Sequence, residues 1–241
     1  MQYVVLILAV IRGSVSRNRQ SSRERQLSSD QVVESALALA DEQGLERLTM
    51  RGLANALGVG TMTLYGYFRS KDEVLDAMAD FALGRLTIDP PAGDKNTPAE
   101  AVRAVGIGFR RMMQVHPSVV QILSTRVTDS PQARQGAMEA VLDRLIASGI
   151  PGPLAVSCYG FLMVFTLGFS SYQSPRPWGH VDREDQLELI RQRTHYYASL
   201  PIDKFPLLIA LKDSLVTLPS DDQFEFGLQC LSELVEIKIQ A

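Results

Sequence analysis

The chain has 241 residues, 46% of them hydrophobic, so it can bury a real core in one or two domains. Two cysteines leave no disulfide framework, and three scattered histidines (His116, His180, His195) offer no metal-ligand spacing; neither a metal nor a cofactor is expected. The formal charge of −3 would by itself argue against nucleic acid, but residues 1–72 carry nine Lys/Arg against seven Asp/Glu, +2, and residues 73–241 fifteen against twenty, −5.

Tyr3 to Ile11 is an unbroken run of nine apolar residues, well short of the about twenty that a membrane-spanning helix needs. No basic residue precedes it and no small-x-small cleavage site follows, so it reads as a loose extension, or as sequence upstream of the real start, and not as a membrane anchor. Behind it Arg12, Arg17, Arg19, Arg23 and Arg25 stand against the single acid Glu24. Residues 1–25 are therefore expected to be a flexible basic arm suited to phosphate contact.

Ser28-Ser29-Asp30 caps a helix that runs to about Gln43, with Gly44 as its stop and Val33, Ala36, Leu37 and Ala40 as its apolar stripe. Leu45 and Leu48 close the bottom of a small core. Thr49 caps a second helix of about two turns, with Leu53, Ala54 and Leu57 inward. Gly58 takes a left-handed helix end, and Val59 plugs the angle before a short third helix from about Thr61. In that helix Leu64 and Phe68 point inward, while Thr61, Met62, Thr63, Gly66 and Tyr67 face out. Small exposed residues on so short a helix make poor core and good groove-reading surface. Ser70-Lys71-Asp72-Glu73 is a capping box for a fourth helix to about Leu86, apolar at Val74, Leu75, Met78, Phe81 and Ala82. The two short helices form a helix-turn-helix, whose second helix lies in the major groove of DNA.

From Gln26 to about Leu86 the chain resembles the DNA-binding domain of the TetR family of bacterial transcriptional repressors. The matching residues are Ala54 and Leu57-Gly58-Val59 at the turn, Thr63-Leu64-Tyr65 in the reading helix, Tyr67-Phe68 at its end, and Ser70-Lys71. The match covers about sixty residues, a quarter of the chain. Carried over from the family's tetracycline-responsive members, it implies that Arg51, Thr61, Met62 and Thr63 face bases and that Tyr65, Tyr67 and Lys71 touch the backbone. The chemistry of the residues agrees. Arginine grips guanine O6 and N7, and Thr or Met methyl groups pack on the thymine methyl. Gly66 departs from the pattern, where a larger side chain is common, and removes one base contact. Gly52 departs as well, at about 1 kcal/mol of helix propensity unless close packing requires it.

Asp89-Pro90-Pro91-Ala92-Gly93-Asp94 breaks helicity. It separates a DNA-binding domain, 26–88, from a C-terminal domain, 97–241, in which every segment reads helical. Helices are expected from the Thr97-Pro98-Ala99-Glu100 capping box to about Val115, from Pro117, and from Ser130-Pro131 to Gly149. Others should run from Pro151 to about Tyr172, from about Glu184 to Ser199, from Pro206 to Thr217, and from the Ser220 cap to about Ile239. The fold class is all-α. The helix 153–172 is apolar almost all round, which predicts burial on every side, part of it against a second copy of the chain. The last helix is apolar on two sides, so four helices from two subunits would make a homodimer interface. The family resemblance implies the same arrangement, two reading helices meeting half-sites of a palindromic operator about 34–36 Å apart. Cys158 and Cys230 read as reduced core thiols.

Phe81, Phe109, Met112, Met113, His116, Phe161 and Phe165 come from helices expected to converge under the long one. Flexible and aromatic side chains around one polar group suit a small apolar or amphipathic effector, with His116 either that polar group or a satisfied helix-end histidine. The expected function is a cytoplasmic, effector-released transcriptional repressor on double-stranded DNA. An activator of the same family, a regulator tethered through Tyr3–Ile11 and an all-helical enzyme are the alternatives. Turnover would revive the enzyme, for which no phosphate loop or Gly-x-Ser-x-Gly elbow speaks.

Overall fold

A computed structural model describes residues 27–91, 96–126, 130–173 and 183–240. The basic arm, the Tyr3–Ile11 run, His180 and the tip of the 89–94 break lie outside these residues. Among the described residues all regular structure is helical.

Four helices build the N-terminal unit: α1 (Ser29–Gln43), α2 (Met50–Leu57), α3 (Thr61–Tyr65) and α4 (Lys71–Gly84). Ser28 and Gln31 exchange side-chain and backbone hydrogen bonds in a complete capping box, and Gly44, at φ 90°, ends α1. All four residues of the expected α1 stripe are buried, as are Leu48, Leu53, Leu64 and Met78, which face them across a small core. The start of α4 differs from expectation. Ser70 accepts from the Glu73 amide at 3.2 Å, but the Glu73 carboxylate reaches past Ser70 to the Arg69 amide at 2.7 Å. Glu73 thus ties the end of the reading segment to α4. The helix also stops at Gly84, two residues short of Leu86.

The remainder comprises α5 (Pro98–Val115), α6 (Pro117–Thr125), α7, α8 (Gly152–Gln173), α9 (Arg183–Ala198), α10 (Pro206–Ala210), α11 (Lys212–Leu215) and α12 (Asp221–Gln240). Helix α7 is continuous through Pro131–Ala133, a π-helical turn Arg134–Glu139, and Ala140–Ala147. The helix expected after Pro206 is broken at Leu211 into α10 and α11. Helix α5 is the axis of this part, packed against α8 on one side and α12 on the other. Close approach there needs glycine: a Cβ at Gly106 would lie 2.5 Å from Leu228, and one at Gly227 2.4 Å from the Phe165 ring.

Within one subunit the expected burial of α8, part of it against a second copy, is met on one side only. Only Ala155, Cys158, Leu162 and Thr166 are buried, one side of the helix, while Val156, Phe161, Val164 and Tyr172 are exposed. On α12 Phe226, Leu234 and Ile237 are likewise exposed, and so is Cys230, which is no core thiol. Helix α8 is long and apolar enough to cross a membrane, at mean hydropathy 1.6; its buried side belongs to the helical core.

The N-terminal unit is held to the rest through α6 and α7. At one end of α6 the Asp41 carboxylate, from α1, accepts from the Ser118 amide at 2.9 Å and hydroxyl at 2.6 Å, and lies 2.9 Å from His116 Nδ1. At the other end Arg126 pairs with Asp72 and, at 2.7 Å, with Asp76, both on α4.

Candidate functional site

The helix-turn-helix is set by local geometry. Thr49 accepts from the Gly52 amide at 3.0 Å, and a Cβ at Gly52 would stand 3.0 Å from that same hydroxyl. The cap does not itself require glycine: Ser28, Ser70 and Thr97 accept the same bond from Gln31, Glu73 and Glu100, which carry side chains. Gly58 at φ 67° terminates α2 in the left-handed region, and the Val59 amide bonds back to Ala54 at 3.0 Å. Leu64 and Phe68 anchor α3 in the core.

What remains of α3 faces water. Met62 is 82% exposed and Tyr65 43%, Thr63 is exposed, Thr61 is half-buried, and Arg51 is exposed on α2. The other two residues expected at DNA have protein partners. The Tyr67 hydroxyl donates to the Leu27 carbonyl, and Lys71 Nζ donates to the Leu45 carbonyl at 3.2 Å. Each side chain thereby braces the segment that leads into or out of α1. Arg47 and Arg69 are also exposed beside this surface; their flanking positions and charge were the available signal.

The seven residues expected around an effector divide into three groups. Phe81, Met112 and His116 line one cavity of about 180 Å³ between α4, α5 and the 85–91 segment. Phe109 and Met113 are buried, Phe109 against Tyr159 with ring centres 6.2 Å apart. Phe161 and Phe165 stack on each other at 5.7 Å, Phe161 exposed and Phe165 half-buried, where it continues onto the buried Phe224 of α12. These last two do not reach the cavity. Arg111, Gly108 and Val115, which do, were not anticipated. Their spacing around Met112 on one helix was the only signal, and a charged residue at such a position ordinarily faces solvent. Arg111 holds Asp89 with two bonds, at 3.0 and 2.8 Å, and those bonds keep the Asp89 carboxyl below the usual carboxylate range. The 85–91 segment is thus pinned over the cavity.

Among the described residues no group of three or more His, Cys, Asp or Glu is placed to hold a metal. The chemistry on offer is recognition: an outward reading helix, and a small cavity whose wall is α4.

Comparison with known proteins gives the same picture. Residues 32–78 match the family described as bacterial regulatory proteins, tetR family, and residues 90–235 the tetracyclin repressor-like C-terminal domain. The HTH-type transcriptional repressor DrrR1 of Streptomyces coeruleorubidus is 31% identical over 218 residues, 88% of this chain and 78% of that protein. The HTH-type transcriptional repressor Rv1353c of Mycobacterium tuberculosis is 26% identical over 228 residues, 88% of this chain and 82% of that one. The crystal structure of the TetR family protein ActR of Streptomyces coelicolor in complex with actinorhodin superposes with a TM-score of 0.73 at 31% identity, covering 88% of this chain and 96% of that chain. With both halves matched and the helix-turn-helix in place, this chain belongs to the TetR family of DNA-binding transcriptional regulators.

Proposed function

We propose that this chain is a cytoplasmic repressor that binds a palindromic operator as a homodimer and leaves it when a small apolar or amphipathic molecule occupies the C-terminal half. The reading takes 26–88 as the DNA-binding unit and 97–241 as the effector-binding and dimerisation unit, with 1–25 as a basic arm. The observation that carries it is the exposed surface formed by Arg51, Met62, Thr63 and Tyr65 on a helix pair otherwise locked into the core. Two relatives named as repressors, and one solved with actinorhodin bound, support repression and a small-molecule effector.

Arg51, Thr61, Met62 and Thr63 read bases, and Tyr65, Tyr67 and Lys71 hold the backbone. Tyr67 and Lys71 do so while bracing α1, which makes the phosphate contacts sensitive to how α1 sits. For the effector, Phe81, Met112 and His116 are the residues of choice, because they share a cavity with α4 as one wall. Filling it moves α4, and with α4 the reading helix. A ligand achieves this only through its differential affinity for the two arrangements, typically about 1–3 kcal/mol of coupling. The exposed apolar faces of α8 and α12 supply the dimer contact.

The test is a gel-shift titration against DNA selected from random sequence. Arg51→Ala should weaken binding about 10–100-fold, as loss of a bidentate guanine contact does. Lys71→Ala should weaken it on all sequences and reduce the salt slope by about one. Undiminished affinity in both variants would remove this face from the interface.

A further inference from the structure

A second cleft, of about 450 Å³, opens between α1, α4 and the π-helical turn of α7. It adjoins the proposed effector cavity, for Phe81 and Arg85 line both spaces. Its volume falls in the range of small-molecule sites, about 300–1,000 Å³.

Three observations define what it would hold. Phe68 and Phe81 offer aromatic surface, and Asp30 and Asp80 offer carboxylates. Asp80 is half-buried; its neighbours are the Ser130 side chain and a second carboxylate, Asp76, and burial pushes its carboxyl above the usual range. A cation already sits here, supplied by the chain itself. The Arg85 guanidinium lies 3.7 Å from the centre of the Phe81 ring, 2.8 Å from Glu34 and 3.8 Å from Asp30. It shows the chemistry this wall accepts: a flat positive charge over an aromatic face, flanked by carboxylates.

The wall opposite is a close contact of two helices. A Cβ at Gly136 would stand 2.4 Å from the Gly84 α-carbon, so two glycines let α7 lie directly on α4. At that contact the helix widens into its π-helical turn, a feature that recurs at functional sites, and Gln132 and Gln135 border the cleft there.

We propose that this cleft is a binding site for a monocationic amphipath, a protonated amine on a flat apolar body, which takes the place of Arg85 on Phe81 with its charge between Asp30 and Asp80. Arg85 is exposed, and an exposed ion pair of this kind holds weakly. Its displacement would free α4 from Asp30 and Glu34 of α1 and open the wall toward the effector cavity. The regulatory consequence rests on the repressor reading above; the binding itself does not.

Isothermal titration of the full chain with (1-naphthyl)methylamine, and with (1-naphthyl)methanol as its uncharged counterpart, tests the site. The amine should bind at least about tenfold more tightly than the alcohol. Asp80→Asn should weaken the amine about tenfold and leave the alcohol unchanged. Arg85→Gln, which removes the resident competitor, should tighten the amine several-fold, a gain that a role for Arg85 in holding ligand could not produce. Each variant is first shown to unfold cooperatively on heating, and if one fails to fold, the other and the amine–alcohol comparison still decide. Equal affinity for amine and alcohol, no heat with the amine, or an unchanged or weaker amine affinity in Arg85→Gln would overturn the proposal. A chain that binds the amine but no DNA would sink the repressor reading and leave the site standing.

Discussion

At the scale of the residue, two of the side chains proposed to touch DNA also have protein partners. Tyr67 and Lys71 each donate to a backbone carbonyl next to α1, from Leu27 and Leu45. Tyr67→Phe should therefore lower both DNA affinity and the thermal midpoint, the stability loss about 0.5–1.5 kcal/mol for one hydrogen bond; differential scanning calorimetry reads the second effect. Gly58 holds φ 67°, so Gly58→Ala should cost about 1–2 kcal/mol through backbone strain alone. Asp80 gives a pH test. Its folded carboxyl is pushed above the usual range by burial, so the folded state takes up the proton more readily than the unfolded one. The ionised group then opposes folding at neutral pH, and that opposition fades as pH falls through the folded value to below the unfolded one. Asp80→Asn should raise the thermal midpoint at pH 7, and the gain should vanish in acid.

At the scale of the element, α6 shares with α7 the placing of the N-terminal unit. It is nine residues long, yet it grips α1 at one end through Asp41 and α4 at the other through Arg126. Asp41 is half-buried and satisfies both the amide and the hydroxyl of Ser118. Asp41→Ala leaves those donors without their acceptor, at about 1–3 kcal/mol, and should loosen the coupling between effector and DNA. In a gel shift the variant should still bind the operator but be released less completely by effector. The pairs of the half-buried Arg126 with the exposed Asp72 and Asp76 are worth less individually; their weight is in placing α4.

At the scale of the whole molecule, the proposed dimer would use the exposed faces of α8 and α12. Val164 is 71% exposed and Phe226 67%, on the two helices that flank α5. A charge at Val164 would sit within a dimer contact, so Val164→Asp should shift the protein toward monomer in analytical ultracentrifugation and abolish high-affinity binding to a two-site operator. The half-site alone should then be bound at only the weak affinity of one reading helix. Deleting residues 1–25 should reduce the salt slope of DNA binding, because five arginines leave with them.

What the amino-acid order determined by itself was local. Caps at Ser28, Thr49 and Thr97, the left-handed Gly58 and the inward pair Leu64 and Phe68 follow from hydrogen bonds and side-chain spacing within a few residues. The outward exposure of Arg51, Met62, Thr63 and Tyr65 was legible for that reason. Of the residues expected around an effector, Phe81, Met112 and His116 share a cavity, while Phe109 and Met113 turn into the core and Phe161 and Phe165 do not reach it. Periodicity says that a helix has an apolar side, but not which neighbour will cover it. Only the packing of α5 between α8 and α12 decided that Phe165 would lie against Phe224 and not the cavity. The same holds for the cleft behind Arg85, whose lining residues span more than a hundred positions and meet because two glycines let α7 lie on α4.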